Sequence, residues 1–226
     1  MLLFDIDGTL LHTGGAGRRA LEKAFEELFG IQGAWKGIIP DGKTDPMIIQ
    51  EMALGSVGRF LEREEYEKAV CSYEKYFQTE IRRAGSFRLM PGIPELLKKL
   101  SGCEGFLLGV ATGNFEAPAW GKLERGGLRQ CFSFGGFGSD SHDRTGLTSR
   151  AVRRGELLSG RKFLASEVVV IGDTPFDVRA GKNLGFKTVA VATGQTTGAA
   201  WQEYAPDLVL SDFSDTAAAV DLLARI

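Results

Sequence analysis

An apolar run, Met1-Leu2-Leu3-Phe4, stops at a carboxylate, and a second carboxylate follows two residues on, giving Asp5-Ile6-Asp7-Gly8-Thr9-Leu10-Leu11. The run has the length and character of a strand buried on both faces. Side chains alternate along a strand, so Asp5 and Asp7 would share a face if it continued. Gly8 suggests that it does not, because glycine permits a turn that other residues resist. Two acids where a buried strand runs out are costly unless something answers the charge. Ligands of open parallel sheets bind at the carboxyl ends of strands. The stretch reads either as one wall of an active site or as a polar turn with a capping aspartate.

Beyond Leu11, Thr13-Gly14-Gly15-Ala16-Gly17 suits a hinge or linker. The period then becomes helical. Leu21, Ala24, Phe25, Leu28 and Phe29 share a face up to Gly30. Asp45-Pro46 can open a second helix, with Asp45 as cap and Pro46 in the first turn, ending at Gly55. A third, over about 62 to 83, places Tyr66, Val70, Tyr73, Phe77 and Ile81 on one stripe, read as core. Residues 14–88 thus form an all-helical block without a strong strand-like run. From Pro91 strands and helices alternate. Strands are expected at Phe106–Ala111, Phe132–Phe134, Val168–Ile171, Val189–Val191 and Leu208–Leu210. Helices are expected at Pro94–Leu100, Pro118–Gly126, Thr145–Leu158, Phe176–Leu184, Ala199–Tyr204 and Asp215–Arg225. Such alternation predicts an α/β fold, a parallel sheet with helices on both faces. Its first strand is split from the rest by the helical insert. The expected division is 1–13 with 89–226 as the core and 14–88 as the insert.

Two further strand ends carry polar residues. Phe106–Ala111 runs into Thr112-Gly113-Asn114, a hydroxyl, a bare backbone and an amide that could cradle an oxyanion. Val168–Ile171 runs into Gly172-Asp173-Thr174-Pro175-Phe176-Asp177, where Thr174 can cap and Pro175 can start the next helix. If these strands neighbour the first, Asp5, Asp7, Asp173 and Asp177 crowd one mouth. Two like charges about 5 Å apart repel by about 3 kcal/mol at an effective dielectric of about 20. A hard cation with oxygen ligands would relieve this, and Mg²⁺ fits where phosphate completes its shell. The residues together describe a phosphoryl-transfer site.

The remaining composition narrows the partners. A net charge of −2 gives no electrostatic case for nucleic acid. No apolar stretch approaches the roughly 20 residues of a membrane helix, and no basic leader precedes the first apolar run. Cys71, Cys103 and Cys131 lie far apart and form no CxxC. They read as buried or semi-buried thiols in a reducing, cytoplasmic setting. With two histidines, zinc is disfavoured.

Asp5-Ile6-Asp7-Gly8-Thr9, Thr112-Gly113-Asn114 and Gly172-Asp173 with Asp177 resemble the first, second and fourth motifs of the haloacid dehalogenase superfamily. Their order and the helical insert after the first motif resemble its phosphoglycolate-phosphatase-like branch, which joins a Rossmann-like core to a helical cap. The resemblance implies an Mg²⁺-dependent phosphatase acting on a small phosphorylated metabolite. Asp5 would be the nucleophile that forms an aspartyl-phosphate, and Asp7 the general acid and base. Asp5, the Asp7 main-chain carbonyl and Asp173 would hold the metal, with Asp177 supporting them. Thr112, Gly113 and Asn114 would bind phosphoryl oxygens. Relatives place a lysine, often before proline, between the second and fourth motifs, and no Lys-Pro occurs here. Arg144 stands in that place, with Lys162 as rival; arginine could clamp phosphate bidentately. His142 reads as a loop residue. Lys43, in Gly42-Lys43-Thr44-Asp45, is the cap residue that could touch substrate. Asp7 favours phosphate transfer, because dehalogenases and phosphonate hydrolases of the family lack that second acid. A phosphomutase of the same fold and a non-catalytic binding protein stay open, as do monomer and homodimer.

Overall fold

The computed structural model describes every residue except Glu104 and Thr197. The chain runs β1 (Leu2–Phe4), β2 (Leu11–His12), α1 (Ala16–Phe29), α2 (Asp45–Ser56), α3 (Arg63–Arg83) and β3 (Arg88–Leu89). It continues α4 (Ile93–Gly102), β4 (Leu108–Ala111), α5 (Glu116–Arg125), β5 (Gly135–Gly136), α6 (Arg144–Ser159) and β6 (Val169–Gly172). It closes with α7 (Pro175–Asn183), β7 (Lys187–Val191), β8 (Leu208–Leu210) and α8 (Thr216–Arg225).

Six strands make one parallel sheet in the order β5-β4-β1-β6-β7-β8. Leu2 pairs with Leu108 on one side and Val169 on the other, so β1 lies at the centre. The alternation of β1 explains its wholly apolar sequence. Leu2 and Phe4 pack with α4, α5 and α8 through Leu97, Leu123 and Leu223. Met1 and Leu3 pack on the opposite face with Leu147, Ala151 and Val152 of α6. Each such Leu or Phe stabilises by about 1.5–3 kcal/mol when fully buried, which holds a three-residue strand in place.

Helices α1, α2 and α3 gather an apolar cluster of their own, with Phe25, Ile49, Met52, Tyr73, Phe77 and Ile81 inside it. Tyr66 and Val70, expected on the same stripe, lie at its margin. Phe115, from the loop after β4, also enters this cluster. The block's two connections pair with each other: Leu11 lies opposite Leu89 and His12 opposite Arg88 in an antiparallel ladder. These two-residue strands carry no period for a sequence reading to detect, and β3 reaches into the stretch read as all-helical.

Three other expectations change. The strand expected at Phe132–Phe134 lies at Gly135–Gly136 instead. A Cβ on Gly136 would stand 1.8 Å from the Leu147 carbonyl oxygen, so α6 crosses too closely for any side chain. Glycine is poor strand sequence by propensity, and packing overrides that preference. Residues Gly198–Glu203 form a 3₁₀ turn where a short helix was expected. Cys71 and Cys103 are exposed and Cys131 is half-buried; all three are free. No described helix is long and apolar enough to cross a membrane.

Candidate active site

Because β4, β1 and β6 are adjacent, their carboxyl ends bring Thr112, Asp5 and Asp173 to one mouth. Asp5 is buried, and its N–H donates to the Ile171 carbonyl at 2.9 Å, which fixes the strand end. The chain then turns at Gly8, with φ of +83°. A Cβ there would stand 2.2 Å from Asp173 Oδ2, so this glycine serves both the turn and the approach of the acid. Thr9 Oγ1 donates to Asp173 Oδ1 at 2.9 Å. The first and fourth motifs are thus locked together by a glycine and a hydroxyl.

The helix after β6 starts as its sequence indicates. The side chain of Thr174 and that of Asp177 form a reciprocal capping box, with Pro175 in the first turn. Asp177 Oδ2 accepts from Thr174 N at 3.1 Å and from Thr174 Oγ1 at 2.6 Å. Arg144 is the first residue of α6, behind Asp143, whose side chain accepts from Gly146 N. Its Nη1 donates to Asp177 Oδ1 and lies 3.4 Å from Asp5 Oδ1, while its Nε donates to the Gly42 carbonyl at 3.2 Å. Arg144 therefore stands in the acidic mouth, whereas Lys162 is exposed and pairs with Glu156 at 2.6 Å. His142 is exposed on the preceding loop, and its carbonyl accepts from Thr44 Oγ1 at 3.4 Å.

Charge in this mouth is strongly coupled. Burial raises the Asp5 carboxyl above the usual carboxylate range; Arg144 opposes the rise and Asp177 and Asp7 add to it. Burial likewise raises Asp173, reinforced by Asp5 and Asp177. Asp5, Asp173 and Asp177 each offer a carboxylate oxygen within 4.8 Å of the others. Asp5 Oδ1 is buried with no hydrogen-bond partner among the described residues. An orphaned carboxylate oxygen among hard oxygen donors fits Mg²⁺. Both oxygens of Asp177 are already engaged, by Arg144 and Thr174, which suits it to support the other two.

The β4 end adds a group that sequence reasoning missed. Lys122 of α5 is buried, and its Nζ lies 2.5 Å from Asp7 Oδ2 and 2.8 Å from Asn114 Oδ1. It sits on the apolar stripe of α5, between Ala119 and Leu123, both buried. A lysine on the inward face of a helix that starts beside a polar strand end was the available signal. Thr112 is buried, and its Oγ1 accepts from Asn114 N at 3.4 Å. A Cβ on Gly113 would stand 2.5 Å from the Lys43 carbonyl, so the loop before α2 lies directly on this glycine. Lys43 itself turns its ammonium to Glu51. Asp45 does not cap α2: Thr44 holds the cap position, and Asp45 Oδ2 instead accepts from Phe115 N at 2.9 Å.

A family model described as haloacid dehalogenase-like hydrolase matches residues 2–191. A phosphoglycolate phosphatase of Mesorhizobium japonicum is 26% identical over 229 residues, covering 100% of this chain and 96% of the relative. The pyrophosphatase PpaX of Bacillus mycoides is 24% identical over 234 residues, covering 100% and 97%. The solved structure of a hydrolase from Pseudomonas syringae shares the fold at a TM-score of 0.70 with 20% identity, over 98% of each chain. The chain belongs to the haloacid dehalogenase-like hydrolase family.

Proposed function

We propose that this hydrolase is an Mg²⁺-dependent phosphatase that releases phosphate from a small phosphorylated metabolite through an aspartyl-phosphate on Asp5. The observation that carries the reading is Asp5 Oδ1: a buried carboxylate oxygen that accepts no hydrogen bond among the described residues, beside Asp173, Asp177 and, at 3.4 Å, the Arg144 guanidinium. Supporting it, curated relatives spanning the whole chain are a phosphoglycolate phosphatase and a pyrophosphatase. We read 1–13 with 89–226 as the catalytic core and 14–88 as a cap over it.

In this reading Asp5, the Asp7 main-chain carbonyl and Asp173 would hold Mg²⁺, which when bound supplies charge neutralisation at the phosphoryl group. An Asp5 carboxylate oxygen bonds to phosphorus as the ester oxygen leaves, and Asp7 gives that oxygen its proton. Asp7 then takes a proton from water, whose oxygen attacks phosphorus and frees Asp5, with inorganic phosphate as product. Exposure supports this division of roles: the Asp7 side chain is 41% exposed, against 4% for Asp5. Lys122 orients the Asp7 carboxylate through its ammonium. Thr112 and the backbone of Gly113 and Asn114 would receive phosphoryl oxygens, and Arg144 would balance charge on Asp5 and Asp177.

The test is phosphate release from a panel of phosphomonoesters, with Mg²⁺ and with chelator, for the wild type and Asp5→Asn. Metal-dependent release that the variant abolishes is expected, with labelled phosphate retained on acid-quenched wild-type protein. Release that survives in Asp5→Asn would overturn the nucleophile. Turnover only with an added sugar bisphosphate would make the protein a mutase.

A further inference from the structure

The stretch Gly42–Asp45 contains a buried carboxylate that the mechanism above does not use. Asp45 is the first residue of α2, on the helical block, yet its contacts are to the loop after β4. Its N–H donates to the Gly113 carbonyl at 2.7 Å, and its Oδ2 accepts from the Phe115 N–H at 2.9 Å. The Tyr73 hydroxyl of α3 donates to the same Oδ2 at 3.4 Å. One cap residue thus holds the main chain on both sides of Asn114.

We infer that Asp45 is a positioning residue that sets the orientation of the Gly113–Asn114 peptide and so aims the Asn114 amide at the phosphoryl group. A trans peptide is planar, and its C=O and N–H point in opposite directions. With the Gly113 carbonyl turned to Asp45, the Asn114 N–H faces away from the cap, toward Thr112 Oγ1 at 3.4 Å. Flipping this peptide would break the 2.7 Å bond to Asp45 and swing the amide out of the cradle. The same clamp reaches the acid and base, because Asn114 Oδ1 accepts from Lys122, which holds Asp7. Close approach is built in. Gly113 has no side chain to collide with Lys43, and a Cβ on Gly138 would stand 2.2 Å from the Gly113 carbonyl. Catalytic amide geometry therefore depends on the cap being seated. The inference rests on the phosphatase reading.

The experiment compares Asp45→Ala, Asp45→Asn and Asp45→Glu in the whole protein. It reads kcat, KM, competitive inhibition by orthovanadate, and hydrogen exchange of the Phe115 amide. Asparagine keeps an acceptor in place, alanine removes it, and glutamate keeps the charge but displaces it. We expect Asp45→Ala and Asp45→Glu to lower kcat and weaken vanadate inhibition about tenfold each, the loss of one buried charge-assisted hydrogen bond. Asp45→Asn should return both to within about threefold. Phe115 exchange should accelerate in the alanine and glutamate variants and not in the asparagine one. Should Asp45→Ala fail to fold, the glutamate and asparagine pair carries the test. Unchanged vanadate inhibition in Asp45→Glu, or equal losses in all three, would overturn the positioning role. A wild type that binds no vanadate and releases no phosphate would overturn the phosphatase reading and the positioning role with it. Failure of the clamp alone shows as an active wild type with Phe115 exchange indifferent to all three variants.

Discussion

Two cations, Lys122 buried and Arg144 half-buried, stand on either side of the β1 end, and they are built differently. Arg144 shares its guanidinium among Asp177, Asp5 and the Gly42 carbonyl, in a pocket where Asp5 is almost wholly sealed. Lys122 gives its ammonium to Asp7 and Asn114, and leaves Asp7 open. A planar fork can serve three acceptors in fixed directions, while an ammonium is a point charge on a flexible stem. In the proposed mechanism the sealed side would hold a desolvated nucleophile still, and the open side would let an acid and base meet substrate and water. Arginine also links the acidic mouth to the loop before α2, through a donor that lysine lacks.

The comparison can be broken most severely at its sealed half. Asp5→Asn should reduce phosphate release to background while leaving the thermal midpoint at or above that of wild type, because it removes a desolvated charge. A steady-state assay with a melting curve checks both. On the open half, Lys122→Met should lower kcat about 10- to 100-fold with a smaller change in KM, because Asp7 and Asn114 lose their common anchor. An unchanged kcat would make Lys122 a structural residue only.

Arg144→Lys sharpens the contrast between fork and point charge. It keeps the charge on Asp177 but loses the Nε donor to Gly42, and kcat/KM should fall about tenfold. Lys162→Ala should stay within about twofold, since its salt bridge is exposed; the opposite ranking would return the basic role to Lys162. The last effect concerns stability alone. Burial pushes the Asp45 carboxyl up to about 6 from 3.8, against the pull of Lys122 and the Phe115 amide. Between these values the folded chain keeps a proton that the unfolded chain has released. Stability from this group therefore falls as pH rises from about 4 to about 6 and stays lost above. Relative to wild type, Asp45→Asn should gain roughly 1–3 kcal/mol between pH 4.5 and 7.5 in urea unfolding. A gain absent at pH 7.5 would mean the carboxylate is better solvated than its burial indicates.

Much of this was legible before folding was considered. Continuous apolar runs and the 3.6-residue period placed the central strands and most helices within a few residues, and Thr174-Pro175 marked the α7 start. What escaped were elements with no period: β5, made of two glycines under α6, and the two-residue ladder joining Leu11 to Leu89. Among candidate site residues, Asp5, Asp7, Thr112 and Asp173 stand at or just past strand ends because apolar strands stop there, and Asp177 lies in the first turn of α7. Arg144 was picked out by the resemblance, as the basic residue where relatives carry a lysine, and it opens α6. Lys122 was missed because helical spacing marks it as a core position, and nothing local says which charge it answers. Asp45 was read as a cap because the local rule for Asp-Pro favours that; its partner lies 70 positions away.

Local hydrophobic pattern and turn chemistry were enough for the central strands, most helices and the acidic residues that follow β1 and β6. Only the tertiary structure decided that β4, β1 and β6 are neighbours, that Lys122 belongs to Asp7 and that Asp45 holds the Asn114 peptide. Asp45 and Phe115 are 70 positions apart and Asp7 and Lys122 are 115 apart, and strand order and helix rotation, which set such contacts, leave no mark on the local pattern.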